Sequence, residues 1–199
     1  MQTVKQIERL WNAGRYEPLL RDLVACRPDA DLLPLLLGER NAIPAAAMAM
    51  IRLDELGQSG APIYHTFVIA LLASQDSDGG WSDPILTALC LRALLGSRGG
   101  GEAIETGLRY LANLQKDVGI WPRIPFRRMP ADALASAVVL YHLSHEPRFR
   151  DAVAFDDAVN WFDEHVRQLD AQTRKLWLTT RLRCALHHEP TAPLWTCAS

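Results

Sequence analysis

The 199-residue chain has no long apolar run, no closely paired cysteines and no surplus of charge of either sign, and each gap removes a class of function. A membrane-spanning helix needs about 18 or more apolar residues in a row. The nearest approach, LLPLLLG around Leu35, stops at Glu39. A formal net charge of −2 gives no general grip on a phosphate backbone, so nucleic acid is not an expected partner. The opening MQTVKQIERLWNAGRYE is charged throughout and lacks an apolar centre with a cleavage site, so no secretory leader is expected. Cys26, Cys90, Cys184 and Cys197 are scattered with no C-x-x-C pair and no metal-like spacing, the usage of a reduced cytoplasmic protein. Cys197 is third from the end, where a prenylation box needs it fourth.

What is present is helical periodicity in a chain that is 49% hydrophobic, enough for one sizeable core. Ile7, Leu10 and Trp11 share a face, as do Leu19, Leu20, Leu23 and Val24. The stretches 44–56, 63–74, 84–96, 103–115, 131–143, 155–168 and 175–187 read as helices. Between them lie GQSGAP at 57–62, DSDGGW at 76–81, GSRGGG at 96–101 and RIPF at 123–126, all turn chemistry. Strand signals are weak. The expected class is all-α.

A repeat runs through these helices. Gln75, Gly79 and Trp81 fall on Gln115, Gly119 and Trp121 with a constant offset of 40. Without gaps, TALCLRAL at 87–94 matches SAVVLYHL at 136–143 and TTRLRCAL at 179–186, with AMAMIRLD at 47–54 as a fourth copy. The unit is a more polar helix, a Gly-Trp turn, and a helix rich in small residues. Such pairs cannot bury both faces alone and stack on their neighbours. The turn chemistry points to a joint. Gly79 and Gly119 allow a reversal through positive φ, the glutamine amides tie a helix end to a neighbour, and the indoles close the corner. Asp83 and Asp132 stand where they favour the next helix's N-terminus.

The stretch GLRYLANLQKDVGIW, with Gly107, Tyr110, Leu111, Gln115, Gly119 and Trp121 in order, resembles the QW repeat of the squalene cyclase and protein prenyltransferase superfamily. ALLASQDSDGGW keeps Leu71, Gln75, Gly79 and Trp81 but has Ala70 at the aromatic place. A third copy begins at Trp161-Phe162 and then has Val166 in place of Gln. The resemblance implies an α/α toroid, with inner helices around a central cavity and outer helices around them. The expected organisation is one domain over 1–199: N-terminal helices in 1–40, helix-pair repeats over 41–187 and a tail at 188–199. About four pairs make a small or incomplete ring, one that a partner chain could complete.

The family's chemistry does not follow from its fold. The resemblance implies, for the protonating cyclases, D-x-D-D-T-A at the start of an inner helix. Here Asp83-Pro84-Ile85-Leu86-Thr87-Ala88 keeps the first Asp and the Thr-Ala but places Ile85 and Leu86 at the acid positions, and Asp132-Ala133-Leu134-Ala135-Ser136-Ala137 does the same. Isoleucine cannot donate a proton. Asp156-Asp157-Ala158-Val159-Asn160 resembles a magnesium-binding D-D-x-x-D box, but on an expected outer helix, where paired first-turn carboxylates suit the dipole. The zinc ligands that the prenyltransferase resemblance implies find no match in Cys90, Cys184, His142, His145 or His187-His188-Glu189, and no cofactor is expected. The GSRGGGE stretch lacks the Lys-Ser/Thr of a phosphate loop. Arg123, Arg127 and Arg128 surround Ile124, Pro125 and Phe126 in one basic loop.

The inner helices carry Arg52, Arg92, Tyr141, His142, Arg181 and Arg183 among their alanines. A guanidinium buried without a partner is costly, so these face the ring's interior or an end, or pair with Asp54 or Asp132. Asp83, Arg92, Asp132, Tyr141, His142 and Arg183 are the candidate binding residues. The expectation is a non-catalytic module that binds a protein partner or a small hydrophobic or anionic ligand. The alternative is a diverged isoprenoid cyclase or prenyltransferase-like enzyme.

Overall fold

The computed structural model describes residues 42–97, 99–126 and 128–187, and every structural statement below concerns these. The helices expected in 1–40, the tail at 188–199 and Arg127 lie outside them. The described chain is all-helical, with no strand and one isolated antiparallel bridge between Pro122 and Ala131. In order, the helices are α1 (Ala42–Glu55), α2 (Pro62–Ala73), α3 (Pro84–Leu95), α4 (Gly101–Leu114), α5 (Ala133–Leu143), α6 (Pro147–Ala152), α7 (Phe155–His165) and α8 (Ala171–His187).

Two layers account for the packing. Helices α1, α3, α5 and α8 form a row in which each packs on the next. These helices bury Ala46, Met50, Ala88, Cys90, Leu91, Ala137 and Leu140, and alanine lets packed axes approach closely. Helix α2 packs on α1 and α4 on α3, while α7 meets α8 through the stacked rings of Phe162 and Trp177, 4.8 Å apart. The row is therefore made of the four segments that the gapless sequence repeat brings together.

Most expected helix bounds shift by one or two residues, the expected 155–168 ends at His165, and two larger differences have local causes. Helix α8 starts at Ala171 rather than 175, because the Asp170 carboxylate accepts from the N–H groups of Gln172 and Thr173 and from the Thr173 hydroxyl. The six-residue α6 was not expected. It opens on Pro147, suited to a first turn, and anchors itself through the buried Phe149, 6.0 Å from the Trp121 ring.

Candidate functional site

The Gln-Gly-Trp sets build two joints of the same design. Gln75 Nε2 donates to Gly79 C=O at 2.8 Å and to Ala103 C=O on α4 at 2.9 Å. Gln115 Nε2 donates to Gly119 C=O at 2.7 Å and to Ala154 C=O, just before α7, at 3.0 Å, while its Oε1 accepts from Ala154 N–H at 2.8 Å. The indole N–H of Trp81 reaches Leu71 C=O and that of Trp121 reaches Leu111 C=O, both at 2.8 Å. The backbone N–H of Trp81 finds the Thr87 hydroxyl at 2.9 Å, and that of Trp121 finds Ser136 at 2.8 Å. Gly79 and Gly119 have φ of +92° and +87°. Each presses its Cα onto the backbone of the next outer helix, at Thr106 and at Asp157–Ala158 respectively. These six residues are structural.

The same geometry engages the residues that match the cyclase signature in sequence. Asp83 Oδ1 caps α3 by accepting from Leu86 N–H at 2.9 Å, and Asp132 Oδ1 caps α5 from Ala135 N–H at 2.8 Å. Thr87, fully buried, is used by Trp81. Asp83 and Asp132, offered above as binding residues, each use one carboxylate oxygen to cap a helix at the joint end of the row.

Arg92, Tyr141, His142 and Arg183 gather at the other end, where α1, α3 and α5 finish. Arg92 on α3 faces Glu146 at 3.9 Å, and Glu146 Oε1 lies 3.1 Å from His145 Nε2. That contact, with Arg92 and Arg148 nearby, holds the Glu146 carboxyl below its usual range despite partial burial. Arg183 on α8 donates to Tyr141 C=O at 3.0 Å and lies over the Tyr141 ring, 4.9 Å from its centroid. It has no carboxylate partner among the described residues. His142 stands edge-on to Tyr141 at 5.2 Å between ring centroids. Burial, followed by the positive charge of Arg183, Arg92, His145 and Arg52, lowers its pKa from 6.5 to about 4. The imidazole is neutral at pH 7.

Two residues the sequence reading did not single out complete the cluster. Tyr64, in the first turn of α2, is 5% exposed, and its hydroxyl has no hydrogen-bond partner among the described residues. Burial and the nearby Asp54 raise its pKa while Arg92 opposes them. Glu146 is the other, and it, not Asp54 or Asp132, is the acid facing Arg92. The remaining ion-pair expectations also shift: Arg52 bonds Glu55 at 2.6 Å, and Arg181 pairs with Asp163 of α7 at 3.6 Å on the surface.

No group of three or more His, Cys, Asp or Glu side chains among the described residues is placed to hold a metal ion. Cys90 is buried in α3, and burial raises its thiol pKa well above the ordinary range. Cys184 touches the Ser144 hydroxyl at 3.3 Å and a guanidinium nitrogen of Arg150 at 3.8 Å. Asp156 and Asp157 occupy the first turn of α7. No described helix is long and apolar enough to cross a membrane. A cavity of about 590 Å³ lies at the first joint, between the end of α2 and α4, lined by Gln75, Asp76, Asp78, Glu102 and Arg109. Against family models, curated proteins and solved structures, the chain finds no match in any of the three.

Proposed function

We propose that the chain is a non-catalytic binding module, an α/α toroid of the squalene cyclase and protein prenyltransferase type that has kept the joints and lost the acids. The single observation behind this reading is that every surviving polar residue of the catalytic signature is engaged in building the joint. Asp83 caps a helix and Thr87 holds the Trp81 backbone, while the acid positions hold Ile85 and Leu86. Neither Ile85 nor Leu86 can donate a proton to an alkene.

The ligand end is the polar cluster where the row finishes. A guanidinium without a carboxylate partner (Arg183), a second held only loosely at 3.9 Å (Arg92), a neutral His142 and an unpartnered Tyr64 hydroxyl suit a small anionic ligand. Thermal-shift titration with inorganic phosphate, dicarboxylates and isoprenoid diphosphates, each with and without magnesium or zinc, tests both halves. Metal-independent stabilisation by small anions, lost in Arg183→Gln, is the expected result. Stabilisation only by isoprenoid diphosphate with metal returns the enzyme reading. No shift from any anion removes the ligand assignment.

A further inference from the structure

The second joint carries a segment that the first does without. Trp81 and its cap Asp83 are two residues apart, whereas Trp121 and Asp132 are eleven apart. Yet the backbone closes alike in both, with Asp83 N–H on Trp81 C=O at 2.7 Å and Asp132 N–H on Trp121 C=O at 2.8 Å. The additional residues are therefore not needed to make the turn. They form a loop shut at its base by the Pro122–Ala131 bridge and tightened by bonds from Phe126 N–H to Ile124 C=O and from Met129 N–H to Phe126 C=O.

The sequence of this loop, PRIPFRRMPA over 122–131, contains three prolines and no carboxylate. Phe126 is 67% exposed and Ile124 43%, so neither contributes much to the core. Arg123 and Arg128 are exposed and make no ion pair with the described residues. Val118, in the adjoining turn, is 52% exposed. Proline limits the freedom such a loop would lose on binding, an aromatic ring offers area at small entropic cost, and guanidinium forks match carboxylates.

We propose that this loop docks an acidic segment of a partner protein, with Phe126 as the apolar anchor and Arg123 and Arg128 pairing with carboxylates on either side. An anionic bilayer would offer the same signs of charge, but the joint end of the molecule also exposes Asp76, Asp78 and Asp117. A flat negative surface laid across that end meets those carboxylates, whereas a narrow chain gripped by the loop avoids them.

Fluorescein-labelled twelve-residue peptides of Glu interrupted by a single Leu or Phe, with Lys counterparts as controls, are titrated against the full chain by anisotropy. Phosphatidylglycerol vesicles are run in parallel by sedimentation. Expected is saturable binding of the acidic peptides that weakens with salt and falls about tenfold or more in Phe126→Ala and in the pair Arg123→Glu, Arg128→Glu. Both variants alter exposed side chains, and unchanged helical circular dichroism establishes that they fold. The proposal is overturned by no binding to the acidic peptides, by equal binding of the Lys peptides, by binding that survives both variants, or by capture on vesicles without peptide binding.

Discussion

At His142 the fold keeps uncharged an imidazole that in the unfolded chain titrates near pH 6.5. Its folded pKa is about 4, the consequence of burial and then of Arg183, Arg92, His145 and Arg52 around it. Between those two values the unfolded chain binds a proton at this position and the folded chain does not, so stability falls as the pH drops from about 6.5 towards 4. The full effect is roughly 3 kcal/mol, from about 1.4 kcal/mol per unit of pKa displacement. Glu146 acts with the same sign in a lower window: its depressed pKa gives stability that is lost as the pH falls through the carboxylate range. Urea denaturation of the wild type between pH 7 and 4.5 is expected to show that loss, and His142→Gln to flatten the curve above pH 5. A variant curve parallel to the wild type would mean that His142 is not the group responsible. The sequence placed His142 among the candidates but hid Tyr64, which reads as one more aromatic on an amphipathic helix. An orphaned hydroxyl is a property of its surroundings and leaves no trace in a pattern of residue types.

Between elements, the joints depend on approach distance more than on the left-handed φ. A Cβ at Gly119 would lie 2.5 Å from the Asp157 carbonyl carbon and 2.7 Å from Ala158 N, both backbone atoms that cannot move aside without shifting α7. Gly79 meets Thr106 C=O at 2.7 Å in the same way. Gly57 supplies the control, with φ of +68° and nothing within 4 Å of its would-be Cβ. Gly57→Ala is expected to cost about 1 kcal/mol from backbone strain alone. Gly119→Ala adds the clash and is expected to cost roughly 3 kcal/mol or more, measured by thermal or urea unfolding. Equal losses at the two sites would place the whole effect in φ and leave the close approach without consequence. These joints were legible because glycine, glutamine and tryptophan are each needed for a distinct physical reason at fixed spacing. The short α6 was not, since six residues give a helical period too little length to register.

Across the molecule, the row α1, α3, α5, α8 gives its members unequal cover. Helices α3 and α5 are flanked within the row on both sides, whereas among the described helices α8 packs on α5 in the row and leaves Leu178 and Leu182 55% and 61% exposed. A stack held together by nearest-neighbour surfaces opens most readily where a surface lacks a neighbour. The order of the row was legible because the four segments could be laid over one another without gaps. The exposure of α8 was not, since its TTRLRCAL reads much like its better covered counterparts. The two described cysteines report on the difference: Cys90 is buried at the centre of α3, while Cys184 on α8 is half-buried. Under native conditions N-ethylmaleimide is expected to modify Cys184 at least tenfold faster than Cys90, with the sites resolved by peptide mass spectrometry. Cys90 should react only at the rate of global unfolding, and amide exchange should be slowest in α3 and α5. Matched labelling of both thiols in mild urea, at the rate of the circular dichroism transition, would mean that the row opens as one unit with no weak edge.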